Sequence, residues 1–204
     1  MAAMVENPES YFRQFIPGRE RLLKELEAEA DRQNIPIVGP VVGELLFILA
    51  RTGNATAILE LGTATGYSAI YLGRALEPDR GRLVTVENDS NMAGRAKANL
   101  RRAGLASLVE VRLADAVATV QQMQDQFDLI FLDIEKSDYH KVLPDCRRLL
   151  RKGGLLIADN VGFEAADPFN RSIFAAPEWA AVHLYSFLPA HSPENDGLCL
   201  AMRR

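Results

Sequence analysis

The sequence is short of the features that mark the specialised protein classes. It holds only 2 cysteines in 204 residues, Cys146 and Cys199, too few for a disulfide framework. One falls in a helix-like and the other in a strand-like segment, so both are expected to be buried, reduced thiols of a cytoplasmic protein. No apolar run approaches the ~18 residues that would span a bilayer, and Met1–Ser10 is polar, without the apolar stretch of a signal peptide. No membrane association is therefore expected. There is no dense Lys or Arg block, and the formal net charge is −4, which argues against a nucleic-acid partner gripped through its phosphates. Repeats and low-complexity tracts are missing too. What remains is an ordinary globular composition, 48% apolar and 25% charged, at a length that suits one domain with a sizeable core.

A further lack is informative. The stretch Ala57-Ile58-Leu59-Glu60-Leu61-Gly62-Thr63-Ala64-Thr65-Gly66-Tyr67-Ser68 reads as a buried strand, a glycine turn and a helix start, yet it is not the G-x-G-x-x-G of a dinucleotide site. Glu60 would repel a pyrophosphate there. The same carboxylate suits a ligand with an ammonium or sulfonium charge. A nicotinamide-dependent oxidoreductase is thus the disfavoured rival.

The rest of the chain supplies the setting. Residues 1–18 show no clear period and form an arm or a short helix. Helices are predicted over 19–33 and 38–51 from apolar spacing, so residues 1–55 make a helical N-terminal region. Residues 56–204 then alternate strands (56–61, 82–87, 108–113, 129–132, 155–158) with helices (67–77, 90–103, 116–123, 138–151), Gly153-Gly154 closing the last of these. A loop over 160–168, a helix at 169–175 and strands at 180–187 and 197–203 complete an α/β fold with a mostly parallel sheet and helices on both faces.

Ligands of such sheets bind beyond the carboxyl ends of the strands, which singles out the polar residues there. Glu87 follows the second strand, about 20 residues past Gly66, where an acid accepts bonds from ribose hydroxyls; Asp89 and Ser90 are free to cap the next helix. Asp115, before Ala116, suits an adenine amino group and a helix N-cap equally. Asp133 ends the fourth strand and Asp159-Asn160 the fifth, and the first, fourth and fifth strands are expected to be neighbours. Two carboxylates and an amide oxygen without Cys or His describe a hard-cation site for Mg²⁺ or Ca²⁺. Either element alone would read as a turn or a cap. Lys136, on the same connection as Asp133, suits a general base for a hydroxyl, against the commoner exposed surface lysine. Asp128 lies at the opposite sheet edge and is read as structural.

These motifs carry a resemblance. Glu60-x-Gly62-x-Ala64-x-Gly66 resembles the E/D-x-G-x-G-x-G turn of class I S-adenosylmethionine-dependent methyltransferases, with Ala64 in place of the middle glycine. Joined with Leu132-Asp133-Ile134-Glu135-Lys136 and Ala158-Asp159-Asn160-Val161, in matching order from about residue 19 onward, it resembles the cation-dependent O-methyltransferases, among them catechol and caffeoyl-CoA O-methyltransferases. The resemblance implies a Rossmann-like, doubly wound, seven-stranded sheet whose last strand is antiparallel. It implies that Val38 covers S-adenosylmethionine, that Glu60, Gly62, Thr63 and Ser68 hold its methionine end, Glu87 the ribose, and Asp115 and Ala116 the adenine edge. Asp133, Asp159 and Asn160 would bind the cation, with Asp133 also near the cofactor and Lys136 as base. The acceptor would be a small ortho-diphenol, and the protein a homodimer. Glu135 departs from the residue types usual at its position. The acid that some members carry before the last strand has no clean counterpart, Glu194 being the candidate. An RNA methyltransferase of the same fold lacks its basic face here, and a binding protein without chemistry fits poorly with Asp133 and Lys136.

Overall fold

The computed structural model of the chain describes residues 3–204. The arm without a period folds as a short helix, α1 (Pro8–Phe12), capped by the Asn7 side chain, and a 3-10 turn, Arg13–Phe15. Helices α2 (Arg21–Gln33) and α3 (Gly39–Thr52) follow. The alternation then runs β1 (Ala57–Leu61), α4 (Tyr67–Ala75), β2 (Arg82–Glu87), α5 (Ser90–Arg102), β3 (Val109–Leu113), α6 (Ala116–Gln122), β4 (Phe127–Leu132), α7 (Tyr139–Leu149), β5 (Leu150–Ala158), α8 (Asp167–Ala175), β6 (Trp179–Phe187) and β7 (Asn195–Arg203).

Among the described residues the strands form one sheet in the order β3-β2-β1-β4-β5-β7-β6. β7 alone is reversed, lying antiparallel between β5 and β6. All of β1 is buried because both faces are covered. Alternation sends Ile58 into one core with Leu46, Ile70 and Leu72, and Leu59 and Leu61 into the other with Phe127, Val142 and Phe169. A continuous apolar run is what such a strand requires.

Two expected boundaries are corrected. α7 stops at Leu149, and β5 starts at Leu150, not 155. Leu150 is fully buried and pairs with Phe127 before a register shift brings Leu155 opposite Leu129. The Gly153-Gly154 pair, read as a helix terminator, is an irregularity inside the strand, with Gly153 at φ +77. The loop after β5 is also shorter than expected, since Glu164–Ala166 is a 3-10 turn leading into α8.

The strand order reverses between β1 and β4. A crevice opens beyond the carboxyl ends of β1, β4 and β5 at that point.

Candidate functional site

The backbone ladder continues one residue past each of the three central strands. Gly62 N donates to Val86 O (3.0 Å), Asp133 N to Leu61 O (2.8 Å) and Asp159 N to Leu132 O (3.0 Å). Gly62, Asp133 and Asp159 therefore stand abreast. Gly62 has φ +95, and a Cβ there would lie 2.0 Å from the Asp133 carbonyl oxygen, so only glycine lets these two strand ends close up. Ala64, where the resembled turn has glycine, sits at φ +43, a left-handed conformation that costs an ordinary residue about 1–2 kcal/mol.

Glu60 is 0% exposed, in the middle of β1. The Thr85 hydroxyl donates to one carboxylate oxygen; among the described residues the other has no hydrogen-bond partner. Burial pushes this acid up to about 7; the Ser68 and Thr85 hydroxyls pull it down in part, and Asp133 and Glu87 add to the rise. Glu87, at the end of β2, accepts from the backbone N–H groups of Ala64 (2.8 Å) and Thr63 (3.3 Å) with one oxygen and from Asp89 N (2.8 Å) with the other. Asp89 caps α5 through Met92 N, so Glu87 braces the glycine turn and leaves the cap to its neighbour. Asp115 does cap α6, its Oδ1 accepting from Ala118 N at 2.7 Å.

On the other side of the crevice, Lys136 Nζ donates to Asp133 Oδ1 (2.9 Å) and to Ile134 O (3.1 Å). Burial and the neighbouring Asp159 carboxylate push Asp133 up, against the charge and hydrogen bond of Lys136. Asp159 is 1% exposed. The Tyr139 hydroxyl, from the first turn of α7, donates to the Leu132 and Asp159 carbonyls at 3.2 and 3.0 Å and ties the two strand tips together. Asn160, at φ +50, gives its amide N–H groups to Asp196 Oδ2 (2.5 Å) and Ser192 O (3.3 Å), which leaves its side-chain oxygen for another partner.

Two participants escape sequence reasoning. His191 Nε2 lies 3.0 and 2.9 Å from the two Asp159 carboxylate oxygens, and Asp196 holds Asn160 and the Gly162 amide. His191 is one of 3 histidines in the chain, and that scarcity was the available signal. Glu194 is turned elsewhere, ion-paired with Arg13 at 2.7 Å and accepting from Ala190 N.

A cavity of about 160 Å³ gathers Val38, Gly62, Thr63, Ser68, Glu87, Asp133, Lys136, Asp159 and Asn160. Asp115 and Ala116 line an adjoining space of about 240 Å³ that shares Gly62, Glu87 and Asp133 with the first. Glu60 stands behind the wall, wholly enclosed. On the far side, a third space of about 510 Å³ lies between Glu27, Asp31 and Asn34 of the α2 end and Ala190–Ser192, and shares Pro36, Ile37 and Ser192 with the first. Among the described residues no three His, Cys, Asp or Glu side chains cluster as a metal-binding group; the expected set is two carboxylates and an amide. No helix among them is long and apolar enough to cross a membrane. Cys146 and Cys199 are free and buried.

Comparison with known proteins gives one answer. A sequence profile described as O-methyltransferase matches residues 17–167. The chain is 43% identical over 128 residues to a catechol O-methyltransferase of Niastella koreensis, a match covering 61% of this chain and 58% of that protein. It is 35% identical over 149 residues to a catechol O-methyltransferase of Mycobacterium tuberculosis, covering 72% of this chain and 67% of the relative. The match to the first relative thus spans under two thirds of its length. The crystal structure of an O-methyltransferase from Bacillus cereus in complex with SAH superposes with a TM-score of 0.86 at 29% identity, covering 97% of each chain.

Proposed function

The chain belongs to the O-methyltransferase family, and on that premise we propose that it moves the methyl group of S-adenosylmethionine to a hydroxyl of a small ortho-diphenol or caffeoyl-type acceptor, with Mg²⁺ or Ca²⁺ in the site. One observation carries the reading: the tips of β1, β4 and β5 bring a glycine turn, two carboxylates, an amide oxygen and a lysine to one cavity.

The residues divide the work. Val38, Gly62, Thr63 and Ser68 would enclose the methionine end of the cofactor, and the Glu60 carboxylate, enclosed behind that wall, would favour its ammonium group by charge. Glu87 would take the ribose, Asp115 and Ala116 the adenine edge, and Asp133 stands where cofactor and acceptor meet. S-adenosylmethionine supplies an electrophilic methyl carbon on a sulfonium. Asp133, Asp159 and the free Asn160 oxygen fit a hard divalent ion, which when bound lowers the pKa of an acceptor hydroxyl and orients it. Lys136 Nζ, held on Asp133, would take the hydroxyl proton after its ammonium has first released one to solvent. The enclosure of Asp159 and Asn160, 1% and 7% exposed, would keep water from competing with the acceptor hydroxyl. The space between the α2 end and Ala190–Ser192 adjoins this point and suits the acceptor ring.

A panel of catechols and caffeoyl esters, assayed with S-adenosylmethionine before and after EDTA, tests the proposal. Turnover is expected only with added Mg²⁺ or Ca²⁺, and Asp159→Ala is expected to abolish it while cofactor binding persists. Full activity of Asp159→Ala under strict chelation would remove the cation from the scheme. The homodimer is part of the same proposal. The exposed Tyr11, Phe12 and Phe15 of the arm support it, and light scattering at working concentration decides it.

A further inference from the structure

We infer that His191 is a positioning residue for the cation site: its imidazole clamps the Asp159 carboxylate at the wall of the cavity it shares with Asp133 and Asn160. The inference rests on the cation-dependent reading above.

Hydrogen-bond chemistry assigns the protons of the ring. Nδ1 faces the Pro193 carbonyl, which only accepts, so Nδ1 carries a hydrogen. Nε2 faces the carboxylate at nearly equal distances, 3.0 and 2.9 Å, so the proton between them bridges to both oxygens. A carboxylate held this way cannot swing about its own axis without losing the contact. Each oxygen also keeps lone pairs for a second partner. The main chain of Asp159 is pinned from the opposite side by the Tyr139 hydroxyl and by Leu132 O. Backbone and side chain of one ligand are thus fixed independently.

The loop that delivers His191 is itself built to stay in place. His191 N donates to Leu188 O at 3.0 Å, and Ala190 N to Glu194 Oε1 at 2.8 Å. Ala190 lies so close to Gly39 that a Cβ on that glycine would fall 2.4 Å from the Ala190 carbonyl oxygen. The His191 side chain is 1% exposed, and both ring nitrogens are committed, so it has no surface to offer an acceptor. What it supplies is order in the carboxylate, and partners of this kind typically tune metal affinity by 10–100-fold, as a general rule.

The test is calorimetric binding of Mg²⁺ and Ca²⁺ to the full chain with S-adenosylmethionine present. His191→Ala is expected to weaken ion binding by about 10–100-fold and to leave cofactor affinity, measured without ion, unchanged. His191→Gln places an N–H donor near the position of Nε2 and is expected to recover most of the loss; Asp159→Ala, the control, is expected to bind no ion. Wild-type affinity in His191→Ala, beside a silent Asp159→Ala, overturns the positioning role and spares the cation reading. A wild-type protein that binds no ion overturns both. Nitrogen coupling to bound Mn²⁺ in pulsed EPR would make His191 a ligand and overturn the inference, as would equal failure of the Ala and Gln variants.

Discussion

Replacing Glu60 with Gln should make the cofactor-free protein more stable and the cofactor weaker in binding. Glu60 is enclosed in β1 with one oxygen unpartnered, and burial moves it from 4.5 to about 7. A folded-state pKa above the unfolded one favours folding at low pH. That contribution is complete below the unfolded value, near 4.5, and is lost as pH rises through about 7. Above pH 7 the buried carboxylate costs the fold up to roughly 3 kcal/mol, at about 1.4 kcal/mol for each tenfold. Gln, of nearly the same shape, escapes that cost. Its melting temperature at pH 8 should exceed that of the wild type by several degrees, at about 2–4 °C per kcal/mol for a chain of this size, and the gap should close near pH 4.5. Binding runs the other way. The attraction of the enclosed carboxylate for the cofactor ammonium, acting across the cavity wall at an effective dielectric of about 20, contributes about 1.5–3 kcal/mol, so the dissociation constant for S-adenosylmethionine should rise by roughly 10–150-fold. Differential scanning fluorimetry across pH and calorimetry at pH 8 give both readings from one pair of proteins. A Glu60→Gln variant that binds the cofactor as tightly as the wild type would refute the ammonium role; melting curves that coincide at every pH would refute the buried-charge argument.

The remaining predictions concern residues with separable duties. Lys136→Met should lower kcat by about 10²–10⁴-fold with cofactor affinity intact, read from single-turnover rates and calorimetry. Asp128→Ala should cost about 1–3 kcal/mol in a urea titration, because it strands the buried N–H of Ala57 that Asp128 Oδ2 accepts at 2.9 Å, while kcat per folded molecule stays put. Gly62→Ala must push a methyl group to within 2.0 Å of the Asp133 carbonyl oxygen. It should part the tips of β1 and β4 and lose cofactor binding in a thermal-shift assay before the fold itself fails.

Much of the architecture was legible because it follows from local periodicity. The unbroken apolar run of β1 announces a strand covered on both faces, and Asp89, Asp115 and Gly104 mark helix ends through contacts within a turn. The misplaced boundary at Leu150 shows the limit. Nothing in Arg151-Lys152-Gly153-Gly154 reads as strand, and it joins β5 because Leu150 finds a buried place opposite Phe127. Asp128 was read as structural, and it stands at the amino end of β4, away from the crevice, where its carboxylate accepts from Thr56 N and Ala57 N.

Residue types and their order along the chain were enough to name the sheet, the turn at Gly62 and the acids at the strand tips, since each depends on neighbours a few residues away. Tertiary structure alone decided how those acids are held. His191 meets Asp159 across 32 residues, and Asp196 meets Asn160 across 36, through a loop with no period to read. Whether such a loop reaches the crevice depends on the packing of Ala190 against Gly39, a contact between distant segments that exists only once the sheet has formed.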